Sequence, residues 1–205
     1  MGLYQRVVFP RVAEWVCSAP LMTPWRRRVC DGLAGTVLEV GFGAGLNLPH
    51  YPAAVSRVLA VEPSSGAFAR ADARRARSHV LVEHVGLDGH RLQLEDASAD
   101  MALVTFTLCT VSEPLVVLGE IARVLRPGGE LHFLEHGLSP RRGVATLQRV
   151  LDPLERALAD GCHLTRDPEA LVRAAGFRLV WMEQGYAPGP KPWTFFSAGV
   201  AVVDQ

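Results

Sequence analysis

Residues 36–46 read Thr-Val-Leu-Glu-Val-Gly-Phe-Gly-Ala-Gly-Leu, and this stretch decides the fold. Residues 36–40 (TVLEV) form an apolar, β-branched run of strand length, and a Gly-rich turn follows at once. A buried strand that empties into such a turn opens a mostly parallel α/β sheet, which binds its ligands at the carboxyl ends of its strands. Glycine lets the chain turn tightly and lets a ligand come close to the main chain. In the dinucleotide fingerprint G-x-G-x-x-G the last position is Gly or Ala; here it is Leu46, and the glycines fall as G-x-G-x-G at Gly41, Gly43 and Gly45. Glu39 stands just before them, placed to accept hydrogen bonds around an ammonium group.

Outward from this turn, strand-length apolar runs alternate with helical periodicity. Residues 57–61, 79–84, 101–106 and 130–135 read as the next four strands. Residues 64–78 are Ala- and Arg-rich and read as one helix. Residues 114–125 place Leu115, Leu118, Ile121 and Leu125 on one stripe, and Pro127-Gly128-Gly129 turns the chain into the fifth strand. Residues 143–159 form an amphipathic stretch with Val144, Leu147, Leu151, Leu154 and Leu158 apolar, and Pro153 kinks it or starts a second helix. Asp167, Pro168 and Gly176 are the cap, first turn and stop of a short helix. Residues 178–183 and 194–203 read as two strands joined by a Gly/Pro-rich connection too short for a parallel crossover, so they pair antiparallel.

Glu62 ends the second strand, at about the spacing at which an acid accepts both ribose hydroxyls. A turn that suits an amino-acid moiety and an acid that suits ribose together suit an adenosine-bearing ligand. After the third strand, Asp88 is placed to meet an adenine amino group with Leu87 packing on the ring; a simple turn is the alternative. Thr107-Leu108-Cys109-Thr110 follows the fourth strand at the expected edge of the pocket, and Cys109 reads as a small packing residue. His136, at the end of the fifth strand, is a candidate general base or a structural histidine.

Composition narrows the function classes. The 205 residues are 49% hydrophobic and 20% charged, with 21 basic and 21 acidic side chains. That is material for one buried core, and the balanced charge makes no case for nucleic acid. The arginines at 26–28 and at 70, 74, 75 and 77 read as solvated helix faces, with an anion- or membrane-binding role as the alternative. The four cysteines (Cys17, Cys30, Cys109 and Cys162) show no C-x-x-C pair and no zinc-site spacing, so no metal and a reducing, cytoplasmic setting are expected. No apolar run approaches the roughly 20 residues of a transmembrane helix.

The segments EVGFGAG (39–45), AVEPS (60–64), LVTFTLCTV (103–111) and VLRPGGELHFLEH (124–136) resemble the class I S-adenosylmethionine-dependent methyltransferases. The likeness is greatest to the branch holding the ubiquinone/menaquinone-type enzymes and the alkyl thiol methyltransferases. FLEH at 133–136, and LDP at 151–153 followed by DGCHLTRD at 160–167, are similar to the thiol methyltransferase-like group. The resemblance covers roughly residues 33–203. It implies a seven-stranded Rossmann-like sheet ending in an antiparallel hairpin, with helices on both faces. It implies S-adenosylmethionine as cofactor, held by Glu39, Gly41, Gly43, Gly45, Glu62 and Asp88, with Asn47, Pro63, Leu87, Thr107 and Leu108 flanking. His136 and Asp160 are the catalytic candidates. Two departures stand out: vertebrate members carry an apolar N-terminal anchor where this chain has an interrupted apolar start, and the loop after Asp88 is longer.

The expectation is therefore a single domain, 1–205, with an N-terminal helical lid at 1–33 and a substrate-covering helical segment at 140–165. Tyr4, Phe9, Trp15 and Trp25 on the lid suit a small hydrophobic methyl acceptor, with packing of the helix onto the domain as the other use of these aromatics; a thiol is the preferred acceptor, and oxygen, carbon and phospholipid-amine acceptors are the alternatives. Arg6 and Arg11 on the same segment leave peripheral membrane contact open, and both monomer and homodimer are allowed. A non-catalytic nucleoside-binding module and a nicotinamide-dependent oxidoreductase are the competing classes; Leu46 argues against the second.

Overall fold

The structure, a computed structural model, describes residues 9–203; Tyr4 and Arg6 lie outside them. Two helices come first, α1 (Phe9–Cys17) and α2 (Thr23–Cys30). Then follow β1 (Gly35–Val40), β2 (Val55–Val61), the short helices α3 (Ser65–Ala69) and α4 (Asp72–Arg75), β3 (Leu81–Gly86) and β4 (Ala99–Thr105). The chain continues through α5 (Pro114–Val124), β5 (Leu125–His136), α6 (Arg142–Leu158) and α7 (Pro168–Ala174). It ends in β6 (Phe177–Tyr186), α8 (Lys191–Thr194) and β7 (Phe195–Val203).

The seven strands form one sheet in the order β3-β2-β1-β4-β5-β7-β6. The first five run parallel, and β7 is antiparallel to both β5 and β6. This is the hairpin-terminated sheet that the last two apolar runs predict. The chain order reverses between β1 and β4, which opens a crevice beyond their carboxyl ends.

Strand alternation sorts the core into two layers. Val37, Leu103, Leu134 and Phe196 face the side covered by α2, where Val29, Cys30 and Leu33 are buried. Leu38, Val104, Leu131 and Phe133 face α5. Glu39 shares its face with Val37, so its carboxylate points toward α2. Gly199 on β7 lies opposite Phe133, and a Cβ there would come within 2.6 Å of the ring.

Several boundaries differ from the sequence reading. The expected helix 64–78 is two short ones, because Phe68 alone supplies a long apolar contact there and Ala71 must tuck into the core. The buried stripe of α5 is Val117, Leu118, Ile121 and Val124; Leu115 is exposed. β5 starts at Leu125 rather than at residue 130, with an irregular register against β4. In α6 the faces are reversed: Ala145, Gln148 and Asp152 are buried, while Leu147, Leu154 and Leu158 are exposed. Gln148 is drawn inward because it accepts from the Ser139 amide (2.8 Å) and donates to the carbonyls of Gly137 (2.9 Å) and Pro192 (3.0 Å). Pro153 sits inside that continuous helix and does not split it.

Candidate active site

The turn after β1 is built by glycine for two separate reasons. Gly41 has φ +80°, and a Cβ there would lie 2.0 Å from the Thr107 hydroxyl, which itself donates to the Val40 carbonyl. Gly43 has φ +57° and opens on space: the nearest atom to a Cβ would be the Gly41 carbonyl oxygen at 3.9 Å. That space belongs to a cavity of about 580 Å³ at the carboxyl end of the sheet. The size suits a cofactor with room for a small acceptor.

Glu62 closes one side of the cavity. Its carboxylate accepts from the amides of Gly43 (2.7 Å) and Ser64 (2.8 Å), so it ties the turn after β1 to the end of β2. Burial pushes its pKa up, and the two amides pull it back. Each oxygen keeps a lone pair for a ribose hydroxyl.

A buried polar network forms the floor. Glu39 accepts from the Asn47 amide (2.7 Å) and the Tyr51 hydroxyl (2.5 Å). Asn47 in turn accepts from Arg26 (2.5 Å), which also donates to the Cys17 carbonyl (3.3 Å). Burial raises the Glu39 pKa to about 7 against the pull of Tyr51, Asn47 and Arg26. Arg26 is 4% exposed, far from the solvated face that its Arg-rich neighbourhood suggests, and its Nε has no partner. Across the mouth, Glu14 of α1 pairs with Arg70 and with Arg74 (2.8 Å), drawing the N-terminal helix down over α3.

The structure brings Gly41, Gly43, Asn47, Glu62, Pro63 and Asp160 to the cavity. Glu39 lies one layer beneath, behind Asn47. Gly45 faces inward against Leu48 and Ala71. Thr107 supports the turn from below, and Leu108 is fully buried in the α5 layer. Leu87 is exposed; Asp88 is folded into a local turn, accepting from the His90 amide (2.8 Å) and ring (2.7 Å), so neither reaches the cavity. Of the expected substrate-covering segment, Asp160 reaches the cavity wall, in a left-handed conformation (φ +50°). From the N-terminal segment Ala13, Glu14, Cys17 and Arg26 line it; Trp15 is turned outward and Trp25 packs edge-on against Phe196.

His136 is not on the cavity wall. Its Nε2 lies 2.7 Å from Cys162 Sγ, which lies 3.4 Å from Cys109 Sγ. The Cys109 hydrogen bond and the His136 ring together hold the Cys162 thiol well below its ordinary range, whereas the Cys109 thiol is pushed up. Burial alone would lower the His136 pKa; the facing Cys162 reverses this and raises it. Sequence spacing gave no sign of this triad, whose members come from three separate segments.

Residues 38–133 match a protein-family model described as a methyltransferase domain. The thiol S-methyltransferase TMT1B of Rattus norvegicus is 38% identical over 162 residues, 77% of this chain and 65% of that protein. The phosphatidylethanolamine N-methyltransferase of Cereibacter sphaeroides is 33% identical over 168 residues, 73% of this chain and 78% of its own. The chain belongs to the class I S-adenosylmethionine-dependent methyltransferases. A solved Thermotoga maritima methyltransferase, described as a possible histamine N-methyltransferase, shares the fold with a TM-score of 0.68 at 21% identity, over 98% of both chains. The match to the rat relative leaves about a third of that protein's length uncovered. In this methyltransferase the family's cofactor has a fitting site: an open glycine cradle at Gly43, a buried carboxylate at Glu62, and a buried guanidinium at Arg26 with an unused donor. Among the described residues no helix is long and apolar enough to cross a membrane.

Proposed function

We propose that this methyltransferase transfers the methyl group of S-adenosylmethionine to the sulfur of a small hydrophobic thiol. The bound donor supplies an electrophilic methyl on a sulfonium. In this reading Glu62 holds the ribose hydroxyls, the turn at Gly41 and Gly43 receives the methionyl portion, and the free Nε of Arg26 meets its carboxylate. Glu39 stabilises the ammonium through Asn47, as the charge beneath the floor. The Glu14 clasp keeps water out of the mouth.

The observation that carries the thiol reading is the chemistry of the cavity lining. Besides the donor contacts it includes Ala13, Cys17 and Phe106 with the carboxylates of Glu14, already paired with arginines, and Asp160, and among the described residues neither lysine nor histidine. A thiol, with a pKa near 8.5, ionises readily enough to need only such a hydrogen-bond acceptor; a phenol or amine, near 10, needs a stronger base. The name of the rat relative supports the same reading.

Transfer of labelled methyl from S-adenosylmethionine to a panel of thiols, phenols, quinols, amines and phosphatidylethanolamine tests it. Thiols should be methylated at the highest kcat/KM, and Asp160→Asn should lower that value for thiols by about 10-fold or more while donor affinity holds. Transfer to any other class in preference to thiols would overturn the acceptor. Donor binding without transfer to any of them would return the chain to the binding-module class.

A further inference from the structure

Outside the donor cavity, three side chains of metal-binding type converge: Cys109 after β4, His136 at the end of β5 and Cys162 after α6. One ligand atom from each lies within 4.8 Å of the other two. We propose that Cys109, His136 and Cys162 form a three-ligand site for a soft or borderline divalent cation of the zinc class, with its fourth position left to water or another exogenous ligand.

The dimensions suit a tetrahedral ion. Zinc–sulfur bonds of about 2.3 Å and zinc–nitrogen bonds of about 2.0–2.1 Å give tetrahedral edges of roughly 3.8 Å between sulfurs and 3.6 Å between sulfur and nitrogen. The sulfurs here are 3.4 Å apart, and the nitrogen is 2.7 Å from Cys162 Sγ. A small outward rotation of the imidazole opens the triangle onto an ion. Two thiolates and an imidazole are the donor set that zinc prefers over magnesium or calcium.

The surroundings hold the ligands in place. The Cys109 amide donates to Glu135 (3.1 Å), and its carbonyl accepts from the His163 amide (2.8 Å), so the segments carrying Cys109 and Cys162 are fastened together. The buried Glu135 carboxylate lies alongside, anchored by the amides of Thr107, Leu108 and Cys109. Its negative charge offsets that of Arg166, which donates to the Leu108 carbonyl. His136 Nδ1, on the ring edge away from Cys162, has no hydrogen-bond partner, so the outward rotation of the imidazole breaks no bond on that side. A disulfide is the rival use of the two sulfurs. It would shorten 3.4 Å to about 2.05 Å and remove the one partner His136 has. A cation engages all three side chains at once.

Cobalt(II) titration of the reduced, chelator-treated chain tests the site without reference to catalysis. One equivalent should give a thiolate-to-cobalt charge-transfer band with tetrahedral ligand-field absorption, and Zn²⁺ should bleach both. Cys109→Ser and Cys162→Ser should each weaken binding at least about 100-fold, while Cys17→Ser and Cys30→Ser should leave it unchanged. The wild-type titration stands even if a variant misfolds. No band at one equivalent overturns the proposal. So does a band retained in both Cys109→Ser and Cys162→Ser, or a Cys109–Cys162 disulfide that forms in air despite excess Zn²⁺.

Discussion

Replacing Glu39 with Gln should change how stability depends on pH. The carboxyl is wholly buried, and its pKa rises from 4.5 to about 7 because burial penalises the charge more than Tyr51, Asn47 and Arg26 relieve it. A raised native pKa means that between about pH 4.5 and pH 7 the folded chain holds a proton that the unfolded chain has released. The stability this confers is complete below 4.5 and is lost as pH climbs through 7. A shift of about 2.5 units at 1.36 kcal/mol per unit amounts to about 3 kcal/mol. Gln cannot ionise, so the stability of Glu39→Gln minus that of wild type should rise by about 3 kcal/mol from pH 4.5 to pH 8, then level off. Urea unfolding of both proteins at half-unit pH steps measures this. Whatever else Gln does to Tyr51 or Asn47 is constant with pH and drops out of the slope. A difference that moves by less than about 1 kcal/mol over the range would refute the buried-charge account of the floor.

Two further outcomes follow from the geometry. Glu62→Ala frees the Gly43 and Ser64 amides and removes the carboxylate proposed to hold two ribose hydroxyls; S-adenosylhomocysteine affinity by calorimetry should fall about 100-fold or more, at about 1.5–3 kcal/mol for each charged hydrogen bond. Undiminished affinity with an unchanged circular dichroism spectrum would remove Glu62 from the donor site. Gly199→Ala forces a methyl to 2.6 Å from the Phe133 ring and 2.7 Å from the Trp181 carbonyl, so it should destabilise the chain by about 1–3 kcal/mol. A melting temperature equal to wild type would show that β7 can shift away from β5.

The sheet was legible because parallel strands buried on both faces leave long apolar runs, and the C-terminal hairpin because its connection is too short to cross over. The turn after β1 was legible for the same local reason: glycine spacing is written in one stretch of chain. What escaped reading depends on partners distant in sequence. Gln148 and Asp152 look like surface residues until the Ser139 amide, the Gly137 and Pro192 carbonyls and Thr165 draw them inward. Arg26 sits among arginines that look solvated, yet Asn47 and the Cys17 carbonyl hold it under the cavity. Asp88 takes the turn reading, bonded to His90, and only the folded loop distinguishes that from the adenine contact. Cys109 looked like filler because His136 and Cys162 approach only once β4, β5 and α6 are in place.

The seating of α2 on the far end of the chain bears on the order in which the molecule assembles. His132 donates to the Val29 carbonyl (2.7 Å), and Trp25 meets Phe196 edge-on at 5.8 Å. The helix that carries Arg26 precedes β5 and β7 in the chain, so its contacts with His132 and Phe196 form only once those strands have been made. Loops that long close slowly and late. Arg26 lines the cavity, so the crevice has its full wall only when α2 is seated.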